Sequence, residues 1–214
     1  MAKLTKNRHP KGKLIRANLS GVLTEIDSLD LFSGVKSVEK KCKINNLPGK
    51  PAGRRTKGSE YLTLMRSKQA MKHYYGLLEK PFKRIYAKAT RKAGSTADNM
   101  LSFLESRLDN VVFRAGFATT RAEAKQLISH GHVLLNGKRV TVSSVQTTVN
   151  DVVSLSAKAQ KHTRITDAIE LSKSRDACNW LETENFEATV SGLPDLEALK
   201  NVFKVNLVIE LYSK

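Results

Sequence analysis

The dipeptide Asn136-Gly137 constrains this chain more than any other two residues in it. A two-residue type I′ turn needs positive φ at both central positions, and Asn followed by Gly meets that need best. His132 to Leu135 and Lys138 to Val142 flank the pair, so the spacing predicts a β-hairpin. Immediately upstream, Thr120 and Glu123 form a capping box for a helix over Arg121 to His130, and Gly131 supplies its C-terminal cap. Before that, Leu101, Leu104, Leu108, Val111 and Val112 keep a helical period, and Ala115 to Ala118 turns the chain. Asp151 to Ser156 alternates well enough to add a strand. The order helix, helix, strands predicts an α+β fold.

Charge separates this region from what precedes it. The 214 residues carry 37 Lys and Arg against 20 Asp and Glu, a formal net charge of +17. Met1 to Arg91 holds 22 of those bases and 6 of the acids, so nearly all of the excess sits in the first two-fifths of the chain. Solubility requires no such asymmetry, whereas a polyanionic partner does: nucleic acid or an anionic membrane surface. No run approaches the roughly 18 to 20 consecutive apolar residues of a membrane span, and Met1 to Pro10 has no apolar segment for a secretory signal. Cys42 and Cys178 are too few for a disulfide framework or a four-thiolate zinc site, so the expected compartment is the reducing cytoplasm.

Residues 1–20 have six bases, no acids, and breaks at Pro10 and Gly12; they read as a basic arm, with a disordered tail as the plain alternative. Val22 to Val38 suits a short amphipathic segment, and Asn45 to Gly58, with Pro and Gly among its bases, reads as extended. Ser59 is a good N-cap for a helix carrying Leu64, Met71, Tyr75 and Leu78. Pro81 marks a break or a fresh first turn, followed by Phe82, Ile85, Tyr86 and Ala89 on one face and Lys83, Arg84, Lys88 and Arg91 around them. Gly94 to Asn99 reads as a domain boundary. Beyond Arg164 the expectations are a helix over Thr166 to Arg175 and an irregular stretch through Trp180 and Pro194. Asn201 to Tyr212, rich in β-branched residues, reads as a strand or a segment packing against the first domain. The expected organisation is a basic region over residues 1–98 (an arm to 44, then mainly helical), a second domain of helices and strands over 107–165, to which the resemblance described next assigns RNA binding, and a segment over 166–214 that packs back on the first domain.

Ser106 to Val140, SRLDNVVFRAGFATTRAEAKQLISHGHVLLNGKRV, resembles the S-four RNA-binding domain of the bacterial small-subunit ribosomal protein four family. Gly53 to Ala89, GRRTKGSEYLTLMRSKQAMKHYYGLLEKPFKRIYAKA, resembles that family's basic helical region, and the ending NLVIELYSK its C-terminus. The resemblance spans Asn45 to Lys214. It implies a structural constituent of the small ribosomal subunit: a primary 16S rRNA binder at a multi-helix junction of the 5′ domain that nucleates assembly of the 30S body. It further implies contact with ribosomal protein five and other 30S proteins, proximity to the path by which mRNA enters, and a role in translational accuracy. Some members repress translation of their own operon. No enzymatic activity, cofactor, small-molecule substrate or membrane is implied. Many relatives carry an N-terminal four-cysteine zinc cluster; here only Cys42 is available, so no zinc is expected.

Side chains cannot enter the deep, narrow major groove of A-form RNA, so a protein of this kind reads phosphates and shape. Arg donates in pairs to phosphate, which makes Arg107, Arg114, Arg121 and Arg139 the lead candidates in the second domain, supported by Lys125 and Lys138. Thr119 and Thr120 lie at a helix start whose N–H groups offer a phosphate seat. In the first region the candidates are Arg54, Arg55, Lys57, Arg66, Lys68, Lys72, Lys83 and Arg84, with Tyr61 either stacking on a base or packing.

His130 and His132 bracket Gly131, but no carboxylate or thiolate stands at ligand spacing, so RNA contact or plain surface polarity is preferred to metal. Gly49-Lys50 is not a phosphate loop, since Ile44 and Pro51 occupy the positions that need Gly and Ser or Thr. Pseudouridine synthases and tyrosyl-tRNA synthetases append a similar module to a catalytic domain, yet this chain shows no acid-base constellation or nucleotide loop. A free RNA-binding stress factor and a mitochondrial homologue with a transit peptide are the other rivals.

Overall fold

The structure is a computed structural model that describes residues 59–172 and 178–213. The basic arm, the segment over 22–38, the extended stretch to Gly58, Cys42, Arg54, Arg55 and Lys57 lie outside the described residues. In chain order the elements are α1 (Glu60–Tyr74), α2 (Glu79–Arg91), α3 (Thr96–Glu105), α4 (Leu108–Arg114), α5 (Arg121–Ser129), β1 (Val133–Leu135), β2 (Lys138–Arg139) and β3 (Val152–Leu155). They continue as α6 (Ala157–Gln160), α7 (Thr163–Ser172), β4 (Leu181–Glu184), β5 (Glu187–Val190), α8 (Glu197–Phe203) and α9 (Val205–Ser213). The described residues fall into two compact units: 59–97 with 197–213, and 98–172 with 178–196.

In the first unit Ser59 caps α1, its hydroxyl accepting from the Leu62 N–H at 3.3 Å. Pro81 is the third residue of α2, inside the first turn, where its missing N–H costs no intrahelical bond. Met71, Tyr74, Tyr75, Phe82, Ile85 and Ala89 are buried, and the Tyr74 ring meets both Tyr75 and Phe203 edge-on with centroids 4.9 Å apart. The chain's end is helical. Phe203, Val205 and Val208 are buried and Tyr212 stacks on Tyr86 at 4.8 Å, so the strand expected over Asn201 to Tyr212 is replaced by α8, a break at Lys204 (φ +46), and α9. Each buried apolar side chain is worth about 1.5–3 kcal/mol. The whole β-propensity scale spans only about 1 kcal/mol, so packing decides.

The second unit is built on a five-stranded antiparallel sheet, order β2-β1-β3-β5-β4. Asn136 and Gly137 have φ +50 and +76, as the I′ turn demands, and join β1 to β2 with Leu135 opposite Lys138. The Asn136 amide also bridges to the start of β3, donating to Asp151 and accepting from the Val152 N–H, both at 2.8 Å. Around α5 the capping signals act as written. The Thr120 hydroxyl accepts from the Glu123 N–H at 3.2 Å, and Gly131 at φ +72 ends the helix in a Schellman turn. There the Gly131 and His132 N–H groups donate to the Ile128 and Leu127 carbonyls at 2.8 and 3.0 Å. Leu108, Val111, Val112, Phe117, Ile128, Val133, Val153 and Ala188 form a fully buried core.

Three expectations are corrected here. The periodic run from Leu101 is two helices, because Arg107 takes an extended conformation (φ −68, ψ 136) and bridges to Gln146. The Leu108 N–H donates to the Val145 carbonyl and the Thr147 N–H to the Ser106 carbonyl, both at 2.8 Å, so a loop distant in sequence takes over the backbone bonds a helix would make. The stretch through Trp180 contains the hairpin β4–β5, turned by Asn185 at φ +49, and β5 pairs with β3. The helix expected at Thr166 starts at Thr163. Residues 163–172 and 178–190 therefore build on the second unit, while 197–213 belong to the first.

Candidate nucleic-acid interface

On the first unit the cations fall into two groups. Lys68 and Lys72 turn inward, donating to the two Glu79 carboxylate oxygens at 2.9 and 3.1 Å, with the Tyr212 hydroxyl donating to the same group at 2.8 Å. Burial pushes the Glu79 carboxyl up, but the hydrogen bonds from Lys68, Tyr212 and Lys72 outweigh it and lower its pKa from 4.5 to about 2. Lys68 and Lys72 thus fasten α1 to the start of α2, Tyr212 fastens α9 to the same carboxylate, and both lysines are engaged there instead of facing a phosphate. Lys83 and Arg84 are exposed, and the same face of α2 carries exposed Lys80, Lys88 and Arg91. Positions 80, 84, 88 and 91 follow steps of four, four and three, so they form one basic stripe opposite the buried Phe82, Ile85 and Ala89. Lys88 and Arg91 are already expected around this helix, and the four-residue step back from Arg84 is the signal for Lys80 as well. Arg66 and Tyr61 are also exposed on α1, Tyr61 by 59%.

On the second unit three of the four lead arginines, Arg107, Arg114 and Arg121, serve the fold. Arg107 grips Asp109 through two hydrogen bonds of 3.0 and 2.7 Å, with the two side chains 7% and 4% exposed. Lys125 approaches the same carboxylate at 3.5 Å. Arg121 is buried, donates to the Asn110 amide oxygen at 2.9 Å and lies over the Phe113 ring, 4.3 Å from its centroid. Arg114 donates to the buried Glu105 at 3.3 Å. Buried charges are tolerated only when partnered, and Arg114 and Arg107 are the partners that allow Glu105 and Asp109 inside. The seat expected at Thr119 and Thr120 is filled from within. The Glu123 carboxylate accepts from the Thr119 N–H at 2.9 Å and its hydroxyl at 2.6 Å, and pairs on its outer side with Arg164. Cys178 lies beside this network, and burial pushes its thiol up, away from the reactive thiolate.

The exposed cations of this unit gather elsewhere. Lys138 and Arg139 project from β2. Arg139 lies against Gly131, where a side chain would collide with its guanidinium, and donates to the His130 carbonyl at 3.2 Å. His130, His132 and His162 follow one another, with ring centroids 6.2 and 5.6 Å apart. His132 is held below the ordinary histidine range, first by burial and then by His162, His130, Arg139 and Lys158. His162 and Lys158 come from the α6–α7 region, outside the motif that carries His130 and His132, so sequence proximity did not connect them. Among the described residues no group of three or more His, Cys, Asp or Glu can hold a metal ion, and no helix is long and apolar enough to cross a membrane.

Comparison with known proteins bears on this surface. The sequence model of the S4 domain matches residues 106–153, and that of the Ribosomal protein S4/S9 N-terminal domain matches residues 6–105. A small ribosomal subunit protein uS4 from Vesicomyosocius okutanii is 44% identical over 198 residues, covering 90% of this chain and 95% of the relative. Proteins of the same name from Coxiella burnetii (45% identical over 192 residues, covering 89% of this chain and 93% of the relative) and Francisella tularensis (44% over 196 residues, covering 90% and 95%) are similarly close.

Proposed function

The chain belongs to the small ribosomal subunit protein uS4 family, and from that premise we propose that it is a structural constituent of the small ribosomal subunit that binds 16S rRNA. The family is not enzymatic. The observation that carries the reading is an identity of 44–45% along nine-tenths of the chain to proteins bearing that name. The exposed surface is consistent with it. The α2 stripe and the hairpin cations Lys138 and Arg139 offer phosphate donors on both units, while the inward Lys68, Arg107 and Arg121 hold the scaffold that presents them. Affinity comes from phosphates and preference from the arrangement of those donors on a folded RNA. In this reading the target is a multi-helix junction of the 5′ domain, bound early so that the 30S body assembles around it. Contact with ribosomal protein five, an influence on accuracy, placement near incoming mRNA, repression of the chain's own operon and a cytoplasmic setting extend the same proposal.

The experiment is binding to a transcript of the 16S 5′ domain beside an unrelated structured RNA of equal length, at two salt concentrations. Preference for the junction RNA that survives the higher salt is expected. Equal binding to both RNAs that vanishes with salt would refute a specific rRNA contact and leave a non-specific polycation. Retention in salt-washed small subunits separates a ribosomal constituent from a free factor.

A further inference from the structure

The histidines at one end of the second unit form a surface that the general cationic reading does not explain. His130 is the C-cap of α5, His132 leads into β1, and His162 precedes α7; their rings form a continuous row. The entry to α7, about thirty residues further along the chain, is therefore placed so that its ring meets those between α5 and β1. A helix C-terminus ordinarily repels anions, because its last carbonyls carry the negative end of the dipole. Here Arg139 donates to the His130 carbonyl, and Gly131 leaves room for its guanidinium, so the repulsion is offset where the row begins. The charged groups acting on the central ring are His162, His130, Arg139 and Lys158, each a cation or able to become one. Such a surface sets two fixed positive charges beside three imidazole rings.

We propose that His130, His132 and His162, with Arg139 and Lys158, form a proton-linked seat for one phosphodiester of the bound RNA, so that RNA binding by this unit strengthens as pH falls through the histidine range. The inference rests on the RNA-binding reading above and deepens it. A neutral imidazole is a poor anion ligand, and burial together with the cationic neighbours His162, His130, Arg139 and Lys158 opposes protonation of His132 in the free protein. A phosphate placed over it relieves that repulsion, so protons enter with the RNA. Proton uptake on binding makes the affinity pH-dependent, with a slope of one decade per pH unit for each proton taken up.

The test is the affinity of the full chain for the 16S 5′-domain transcript at pH 7.5 and 6.0, at constant ionic strength. It is paired with calorimetry in two buffers of different ionisation enthalpy to count protons. Uptake of about one proton, and an affinity about thirty-fold higher at pH 6.0, is expected. H132N and H162Q should each reduce that ratio, and together bring it near one. K83A/R84A should weaken binding by the same factor at both pH values. His162 is exposed, so H162Q carries the test if H132N disturbs the fold. Wild-type binding that prefers the junction RNA but ignores pH, or a double variant that keeps the full ratio, would overturn the proton-linked seat alone. Absence of any preference for the junction RNA at either pH would overturn the underlying reading, and this inference with it.

Discussion

Replacing Arg107 by Ala separates the two roles an arginine can play in a basic RNA-binding protein. The guanidinium is 7% exposed and makes both of its hydrogen bonds to an Asp109 carboxylate that is 4% exposed, leaving Lys125 at 3.5 Å as that carboxylate's other cation. Removing one partner of such a pair costs about 3–5 kcal/mol, because the remaining charge stays inside without compensation. Lys125 softens the loss, so Arg107→Ala belongs at the low end, about 3 kcal/mol. Asp109→Ala strands two cations and belongs at the high end. For a unit of about 100 residues, 3 kcal/mol lowers Tm by about 12–24 °C. The assay is thermal unfolding followed by circular dichroism, with RNA affinity measured well below the transition. R107A should lose stability and keep near-native affinity while folded. The double variant R107A/D109A should be less damaged than the sum of the singles, because the second change removes the stranded charge. A native Tm with weakened RNA binding in R107A would refute the structural role and return this arginine to the phosphate contacts.

The exposed stripe behaves oppositely. K83A/R84A/K88A should leave Tm nearly unchanged and lower the slope of log affinity against log salt by about 0.7 to 0.9 for each phosphate no longer neutralised, measured by a salt titration. Glu79 has a folded pKa of about 2 against 4.5 when unperturbed, so its contribution to stability is complete above pH 4.5 and is lost as pH falls from 4.5 towards 2. The Tm difference between wild type and E79Q should shrink through that window, and identical pH slopes would refute the Lys68–Glu79–Lys72 clamp. Tyr212 contributes on the alkaline side. Burial and Glu79 raise its phenol above 10, so its contribution is present below pH 10 and declines above it, and Y212F should flatten the alkaline limb. Gly131→Ala must tolerate a positive φ and displace the Arg139 guanidinium, so a loss of stability exceeding about 1 kcal/mol is expected by urea unfolding.

Some of this protein was determined by neighbours along the chain. The Thr120 cap, the Gly131 Schellman turn, the Asn136-Gly137 hairpin and the Ser59 cap are legible because each depends on bonds made within a few residues. The basic face of α2 is legible for a related reason, since helical geometry places residues four apart side by side whatever the rest of the molecule does. Family membership also lay within reach of the sequence, through motifs at 53–89 and 106–140.

What tertiary structure decided is everything that depends on a distant partner. The break at Arg107 is made by the loop at 143–147, the helical tail by the apolar face it covers, and the β4–β5 hairpin by its pairing to β3. The same holds for the site. An arginine beside an aspartate in sequence looks the same whether its fork faces solvent or a buried carboxylate, so charge and spacing marked Arg107, Arg121 and Lys68 as ligands where burial makes them scaffold. His162 joins His130 and His132 only because the sheet brings the start of α7 back beside the end of α5. Local bonds are encoded where they are made. Burial and long-range pairing are properties of the whole chain, and they decide which of its many cations remain free to meet an anion.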